Sequence, residues 1–377
     1  MKKVLIFKMG DMAYSSMRVF ADELGKELQA IGVQAEYFDS RKESLKTLEA
    51  LAGKSYSAVI DFNSKLPCVE IEGVGYLLDE IDAPFFNYIL DHPIYHHASL
   101  ERMLKNYHVI SIDKDHAEYV RRWYPHIGDV HALPLGAVRA ENSTLPGQYK
   151  ILFPATFLNP ADYYEMIKEL PQMMRKPTLD IIEVLKADTS CSYETAAMQV
   201  YERENSPMEF RVFAQNNFLA DIYIRAYFRE KVLEAVVKSG QPLAVCGEKY
   251  NESSIEKYSN VTIIPEVNYK KSLELIADAE FVLNVMPWFK AGIHDRVLNS
   301  MINGAVSITD SSHMLEEYFD DGKDYVRYSL EKITEIPEII EHIVSDKSRQ
   351  SEILRNAEKK AEKMTFKRHA EILNSII

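Results

Sequence analysis

The sequence predicts an α/β protein with two doubly wound domains. Short apolar runs alternate with stretches of helical spacing through residues 1–140, and parallel sheets covered on both faces produce such continuous apolar strands. The alternation restarts at Lys150, after a polar stretch that contains Pro146 and Gly147. A chain of 377 residues, of which 46% are hydrophobic, is long enough to form two cores. We therefore expect two domains joined by a linker.

The first domain opens with a βαβ unit. Residues 4–7 form an apolar run, residues 17–31 carry apolar side chains at helical spacing as far as Gly32, and residues 35–38 return to a strand pattern. The later patterns predict strands at 58–62, 85–90 and 109–112, and helices at 45–51 and 99–107. The polar stretch at 138–149 predicts a linker. We place the first domain at residues 1–145.

The second domain, residues 146–355, contains a long region without strand patterns. A strand is predicted at 150–154, and the region of about 161–240 then has helical periodicity, which predicts a helical insertion. Strands are predicted again at 243–246, 261–264, 281–285 and 305–309. The remaining residues, 356–377, predict a C-terminal helix that packs back on the first domain.

Charge and cysteine content restrict the class of function. The chain has 44 basic and 57 acidic residues and a net charge of −13, which repels nucleic-acid phosphates, so we expect no nucleic-acid partner. Cys68, Cys191 and Cys246 are too few and too far apart for a disulfide framework or a cysteine-rich metal site. We find no signal-peptide pattern and no apolar run of transmembrane length. These features predict a cytoplasmic protein, and peripheral membrane contact stays open.

Two common nucleotide-binding motifs do not occur in the sequence. The loop after the first strand has one glycine, Gly10, instead of G-x-G-x-x-G, and no G-x-x-x-x-G-K-[ST] sequence is found. The sequence therefore disfavours dinucleotide dehydrogenases and P-loop nucleotidases. Ligand-binding residues are instead expected after the strands, because loops at the carboxyl ends of parallel strands converge on ligands.

Four segments of the C-terminal half, together with Val245-Cys-Gly-Glu248, carry a family resemblance: residues 281–284, 292–297, 301–310 and 317–326. They resemble the donor-binding half of CgeB-like glycosyltransferases, and the similarity extends over residues 210–377. The resemblance implies the GT-B fold, in which two Rossmann-like domains face a cleft. It also implies metal-independent transfer of a sugar from a nucleoside-diphosphate sugar, most readily a UDP-sugar, without a cofactor. The acceptor would be a glycan, a lipid-linked glycan or a protein, as in bacterial glycan or protein glycosylation.

The resemblance places the donor site in the second domain. Arg296 is expected to bind the diphosphate and to act in catalysis, because a guanidinium group forms bidentate, charge-assisted bonds with phosphate oxygens. The other residues expected at the donor are Thr156, Gly247, Glu248, Pro265, Val267, Asn284, Gly292, His294, Asp295 and Asn299. The alternative is an ion pair of Arg296 with Asp295 beside a helix-capping His294. Trp288 either covers the sugar pocket or packs in the core.

Two positions depart from the family pattern. Retaining members commonly carry a pair of glutamates, and Ala291 and Asn299 stand at those positions here. No carboxylate is therefore available there to bind the ribose diol, although Asn299 offers one acceptor and two donors. The departure supports a second hypothesis, a catalytically silent homologue that acts as a binding or partner subunit. A nucleotide-sugar epimerase is a third hypothesis.

The acceptor site is expected in the first domain. Asp91 and His92 follow an apolar strand, and a carboxylate or imidazole beside the acceptor hydroxyl can act as a general base. Asp91 is the first choice for this base, and His92 or His96 is the second. Gly10 and Asp11, after the first strand, are further acceptor-side candidates.

Two alternatives compete for the acceptor-side cluster. Asp91 and His92 can instead stabilise a turn before Pro93. A zinc site through His92 and His96 is disfavoured, because four-residue spacing suits zinc on a helix and Pro93 interrupts one. We therefore predict no metal.

Overall fold

The computed structural model describes residues 1–9, 13–73, 75–143 and 145–377. This part of the chain forms two compact units. The first unit comprises Met1–Val138 and Lys363–Ile377, and the second comprises Arg139–Glu362. The first boundary was predicted at residue 145, a few residues after Val138, where the first segment of unit 1 ends. The second was predicted at residue 355, a few residues before Glu362, where unit 2 ends.

The first unit is built on a six-stranded parallel sheet with the order β2-β1-β3-β6-β7-β8. A separate antiparallel pair, β4-β5, lies outside it. The strands are β1 (Lys3–Lys8), β2 (Gln34–Asp39), β3 (Ala58–Phe62), β4 (Glu70–Ile71), β5 (Gly75–Tyr76), β6 (Phe85–Ile89), β7 (Tyr107–Ser111) and β8 (Val130–Ala132). The helices between them are α1 (Ser16–Ala30), α2 (Leu45–Glu49), α3 (His97–Leu100) and α4 (Lys114–Trp123).

The second unit contains another six-stranded parallel sheet, with the order β11-β10-β9-β12-β13-β14. Its strands are β9 (Tyr149–Pro154), β10 (Leu243–Cys246), β11 (Val261–Ile264), β12 (Ala279–Asn284), β13 (Val306–Thr309) and β14 (Val326–Arg327). In chain order this is the 3-2-1-4-5-6 arrangement of Rossmann sheets, and the strand order reverses between β9 and β12. Ligands of such sheets bind at the carboxyl ends of the strands beside that reversal.

Helices cover the second sheet and form the insertion after β9. They are α5 (Pro160–Glu169), α6 (Gln172–Ala187), α7 (Tyr193–Glu204), α8 (Phe210–Asn216), α9 (Leu219–Lys238), α10 (Tyr269–Ala277), α11 (Asp295–Ile302), α12 (His313–Tyr318), α13 (Ile336–Ser345) and α14 (Lys347–Ala361). The helical character predicted for residues 161–240 is confirmed. Local sequence explains the start of α5, where Asn159 Oδ1 accepts a hydrogen bond of 3.0 Å from Ala161 N and Pro160 occupies the first turn.

The last helix, α15 (Phe366–Ile376), belongs to the first unit. The ring of Phe366 stacks on Phe20 of α1 with centroids 5.9 Å apart. Gly136 makes this approach possible, because a Cβ atom at that position would lie 2.6 Å from Phe366 N. His369 Nε2 lies 2.9 Å from the carbonyl oxygen of Pro134, and the imidazole ring lies 5.7 Å from the ring of Tyr88 on β6. The helix therefore packs on α1 and on the sheet together.

Several short elements differ from the prediction. The helix predicted at 99–107 is wrong: α3 ends at Leu100, and Tyr107 begins β7. Strand β8 was not predicted, because three residues are too few for a periodic pattern. Among the described helices, none combines the length and the apolar character that a membrane span requires.

Candidate active site

The predicted donor residues lie along one edge of the second sheet, at or just beyond the carboxyl ends of its strands. Pro265 and Val267 follow β11, Gly247 and Glu248 follow β10, and Thr156 follows β9. Asn284 ends β12, and the loop and helix after β12 carry the rest: Gly292, His294, Asp295, Arg296 and Asn299. The fold thus brings together residues that are far apart in the sequence.

Arg296 spans the point where the strand order reverses. Its Nε and Nη2 donate hydrogen bonds of 3.1 and 2.9 Å to the carbonyl oxygen of Pro154, the last residue of β9. Its Nη1 donates a bond of 2.8 Å to Oδ1 of Asn284, the last residue of β12. The side chain is only 8% exposed. Arg296 therefore ties the two central strands together at the edge where ligands of this type of sheet bind.

His294 and Asp295 begin α11 beside Arg296. The Nδ1 atom of His294 accepts a hydrogen bond of 3.2 Å from Arg296 N, so the helix-capping role considered for His294 is confirmed. Burial lowers the pKa of His294. Burial would raise the pKa of Asp295, but His294 and Arg296 outweigh it and hold the pKa of this carboxyl well below its usual range. The half-buried start of α11 therefore holds an ionised Asp295 carboxylate beside the Arg296 guanidinium.

Asn299 is engaged by a residue that the sequence did not indicate. Its Nδ2 donates a hydrogen bond of 2.7 Å to the hydroxyl oxygen of Tyr269, and that hydroxyl donates a bond of 2.8 Å to Asp295 Oδ2. Asn299 is 1% exposed. Asn299 stands where retaining members of the resembled family commonly carry a glutamate. Its side-chain amide is held in a hydrogen-bond network with Tyr269 and Asp295.

The loops after β9, β10 and β11 are held against each other. Gly247 has φ of +151°, and a Cβ atom there would lie 2.6 Å from the carbonyl oxygen of Ala155, so glycine is required. Phe157 N donates a hydrogen bond of 3.1 Å to the carbonyl oxygen of Glu248. The thiol of Cys246 donates to the carbonyl oxygen of Pro265 at 3.4 Å. Backbone groups therefore line this end of the edge.

Two arginines of α9 approach the same region, and sequence reasoning missed both. The guanidinium carbons of Arg225 and Arg229 lie 4.5 and 4.9 Å from the ring centroid of Trp288, in the loop after β12. Arg225 also forms an ion pair of 2.6 Å with Asp221. Trp288 is 7% exposed and packs at 5.9 Å from the ring of His294. The four-residue spacing of the arginines, which puts them on one helix face, is the signal that could have indicated them.

Asp310, directly after β13, was also missed. Its Oδ1 accepts a hydrogen bond of 2.8 Å from Met286 N and so fixes the start of the loop that contains Trp288. Burial raises the pKa of Asp310 to about 6. Its Oδ2 is buried and has no hydrogen-bond partner among the described residues. Oδ1 of Asp310 therefore anchors the loop, while Oδ2 is a buried acceptor without a hydrogen bond among the described residues.

In the first unit, Asp91 is held by a residue at the end of the neighbouring strand. Asn63 follows β3, has φ of +47°, and donates from Nδ2 to Asp91 Oδ2 at 2.8 Å. Its Oδ1 accepts a hydrogen bond of 2.8 Å from Leu90 N. The loops after β3 and β6 are thus joined at the carboxylate predicted to be a general base.

The histidines near Asp91 are more deeply placed. His92 is fully buried, and its Nδ1 accepts a hydrogen bond of 3.1 Å from Ile94 N at the start of the 3-10 helix Pro93–His96. The turn-stabilising role considered for His92 is confirmed. His96 is also buried, and burial lowers its pKa although the charge of Asp91 raises it. Gly10 and Asp11, the other acceptor-side candidates, lie outside the described residues.

Comparison with known proteins finds a family profile that matches part of the sequence and several structures with a similar fold. Residues 225–373 match the family profile described as "Glycosyl transferase-like". No curated protein sequence matches the chain significantly. Sucrose-phosphate synthase from Thermosynechococcus elongatus superposes with a TM-score of 0.59 at 12% identity, covering 100% of this chain and 98% of that one.

Two further structures are similar over nearly their whole length. The DNA-modifying enzyme beta-glucosyltransferase, solved in the presence and absence of uridine diphosphoglucose, has a TM-score of 0.57 at 12% identity and coverages of 100% and 98%. AviGT4, a glycosyltransferase of avilamycin A biosynthesis, has a TM-score of 0.53 at 13% identity and coverages of 100% and 96%. At these identities the likeness concerns the fold. The chain therefore has the GT-B fold, with two Rossmann-like domains and a helical insertion in the second.

Proposed function

We propose that the protein is a glycosyltransferase that binds a nucleoside-diphosphate sugar along the carboxyl edge of its second sheet. The observation that carries the proposal is the position of the Arg296 guanidinium, which joins the ends of β9 and β12 where the strand order reverses. This is where sheets of this order bind nucleotides. The family match over residues 225–373 includes α11 and supports the same assignment.

The strand order suggests how the donor lies. Backbone groups around Gly247, Pro265 and Val267, after β10 and β11, would face the nucleobase. The diphosphate would lie at β9 and β12, near Arg296 and Thr156. We also propose that the protein is a CgeB-like glycosyltransferase and that it works without a metal ion. Both parts of the proposal rest on the sequence resemblance.

Transfer would proceed with the acceptor bound to the first unit. The acceptor oxygen forms a bond to the anomeric carbon of the donor sugar, and the bond from that carbon to the diphosphate oxygen breaks, with its electron pair left on the nucleoside diphosphate. The acceptor proton passes to Asp91, the proposed general base. The hydrogen bond from Asn63 supports this role because it fixes the carboxylate.

The choice of substrate remains part of the proposal. A UDP-sugar is favoured because similar structures were solved with UDP or uridine diphosphoglucose. The acceptor is proposed to be a glycan, a lipid-linked glycan or a protein, and the location to be cytoplasmic. The net charge of −13 argues against nucleic acid, but a DNA-modifying enzyme shares the fold. The comparisons therefore do not support excluding a nucleic-acid acceptor.

The proposal is tested by a thermal-shift screen against UDP, GDP, CDP, dTDP and ADP and their common sugars, followed by an assay for released nucleoside diphosphate. A ligand at about 100 times its dissociation constant stabilises the folded state by about 2.7 kcal/mol. We expect one nucleotide class to raise Tm and its sugar conjugate to be turned over. Binding without turnover with any acceptor tried would identify the silent homologue, and no shift with any nucleotide would overturn the proposal.

A further inference from the structure

Among the residues that the structure describes, the Arg229 guanidinium has no acidic partner. Its Nε is buried and has no hydrogen-bond partner, and no ion pair joins Arg229 to any carboxylate in the described part of the chain. Its neighbour on α9, Arg225, is by contrast paired with Asp221. Arg229 is half-buried, so part of the side chain remains accessible.

The electrostatic surroundings of Arg229 favour an anion. Burial and the positive charges of Arg296 and Arg225 lower the pKa of Arg229 to about 9, which leaves it charged at neutral pH. Like charges in a partly buried region repel each other. Arg225 is paired with Asp221 and Arg296 lies near Asp295, so of these three arginines only Arg229 lacks an acidic neighbour among the described residues. In a chain of net charge −13, such a positive cluster is a local exception. A bound anion would relieve the repulsion.

Arg296 is less available to a ligand than Arg229. A guanidinium group has five N–H donors, and Arg296 directs three of them to Pro154 and Asn284. Arg296 therefore acts as a strut, by which we mean that its side chain joins the ends of β9 and β12 through hydrogen bonds. The hydrogen-bonding capacity of Arg229 is by contrast unused by its described neighbours.

Arg229 contacts the aromatic ring of Trp288 instead of a carboxylate. The guanidinium carbon lies 4.9 Å from the ring centroid, within the range of a cation–π interaction. Such a contact orients the cation without neutralising it and leaves its N–H groups for a ligand. The loop that carries Trp288 is fixed at its start by the bond from Met286 N to Asp310.

We infer that Arg229 is the residue that binds the diphosphate of the donor directly, that Trp288 is its positioning residue, and that Arg296 acts chiefly by joining the ends of β9 and β12. The inference rests on the proposed function and assigns its phosphate contact to a different residue. The ligand class is a diphosphate ester, and the guanidinium would donate charge-assisted hydrogen bonds to its oxygens.

The test compares Arg229→Gln with Arg203→Gln, measuring the shift in Tm with pyrophosphate and with the nucleoside diphosphate that stabilises the wild type most. Arg203 is an exposed arginine of α7, paired with Asp180, and serves as the matched control. We expect Arg229→Gln to keep or raise the ligand-free Tm, because it removes a repelled charge, and to bind both ligands at least about tenfold more weakly. Arg203→Gln should behave as the wild type.

Arg296→Gln separates a strut from a ligand contact. We expect it to lower the ligand-free Tm, because Pro154 and Asn284 lose their donors. An Arg296→Gln protein with the wild-type Tm but no ligand response would overturn the inference. So would an Arg229→Gln protein that binds as tightly as the wild type. Failure of the wild type to bind any nucleotide would instead overturn the proposed function.

The positioning role of Trp288 is tested by rescue. Trp288→Phe keeps an aromatic face for the guanidinium, whereas Trp288→Leu removes it. We expect the leucine variant to lose affinity for the diphosphate severalfold and the phenylalanine variant to retain most of it. Equal affinities in the two variants would show that Trp288 contributes packing alone and would overturn its assigned role.

Discussion

The side-chain amide of Asn63 donates a hydrogen bond of 2.8 Å to the carboxylate of Asp91. The two residues lie just beyond the carboxyl ends of the neighbouring strands β3 and β6, and the bond fixes one carboxylate oxygen in the first unit. Asn63 adopts a left-handed backbone with φ of +47°, a conformation that asparagine tolerates better than most residues. The backbone strain and the bond to Asp91 thus occur at the same residue.

Asn63→Gly is predicted to impair catalysis while preserving the turn. Glycine accepts the left-handed backbone, so the substitution removes mainly the bonds to Asp91 and Leu90. If Asp91 is the general base, misplacing it should lower kcat by about ten- to hundredfold with little change in the KM for the donor. Steady-state kinetics measures both values, and an unchanged kcat would argue against Asp91 as the base.

Asp310→Asn is predicted to become relatively more stable as pH rises. The pKa of Asp310 is raised by burial from 3.8 to about 6 in the folded protein. Folding therefore favours the protonated form, and the stability that this provides is lost as pH rises from about 4 to 6. Asparagine keeps the oxygen that bonds Met286 N and does not ionise.

The Tm difference between Asp310→Asn and the wild type should accordingly grow between pH 4.5 and 7.5, by the equivalent of roughly 2 kcal/mol, because about 1.5 pH units of the pKa shift lie inside this window. A pH-independent difference would show that folding does not raise the pKa of Asp310, and it would contradict this prediction. Asp310→Ala, which also removes the anchor of Met286, should be less stable than Asp310→Asn at every pH.

The docking of α15 is predicted to weaken in acid. Burial lowers the pKa of His369 from 6.5 to about 4, so the folded protein favours the neutral imidazole. Its contribution is complete above about pH 6.5 and is lost as pH falls towards 4. His369→Gln does not titrate, and its Tm should fall less than that of the wild type between pH 7 and 4.5. Parallel losses in the two proteins would contradict this prediction.

Tyr269→Phe is predicted to destabilise the start of α11. The hydroxyl bonds both Asp295 and Asn299, and its removal deprives the half-buried carboxylate of Asp295 of a donor, at a cost of about 1–3 kcal/mol. Thermal unfolding measures this cost. Tyr164→Phe, at an exposed position on α5, provides the matched control and should leave Tm nearly unchanged.

The sequence predicted the parts of the site that follow directly from strand order. Gly247 and Asn284 could be proposed because each lies at or directly after a recognisable apolar strand, and parallel strands bring their carboxyl ends to one edge. Arg296, twelve residues after β12, was proposed from the family resemblance. Arg229 could not be identified in this way, because it lies within a long helix whose rotation relative to the sheet depends on tertiary packing. The bond between Tyr269 and Asn299 likewise joins two elements whose separation no local pattern specifies.

The fold was predictable where patterns were long. The 15-residue helix α1 and the insertion helices have enough turns for periodicity to emerge, whereas the four residues of α3 and the three of β8 do not. Asn63 shows the same limit at the site. Its left-handed backbone and its bond to Asp91 depend on β3 and β6 being neighbours.

The two-segment composition of the first unit also sets an order of events during synthesis. A chain that grows from its amino terminus produces α1 and the strands of the first sheet before the ribosome has translated Phe366. Until then, the ring of Phe20 lacks its stacking partner, and the nascent sheet exposes an apolar surface to solvent or to a chaperone. The first unit to be made is therefore the last that can be completed, and its maturation depends on the entire second unit having emerged.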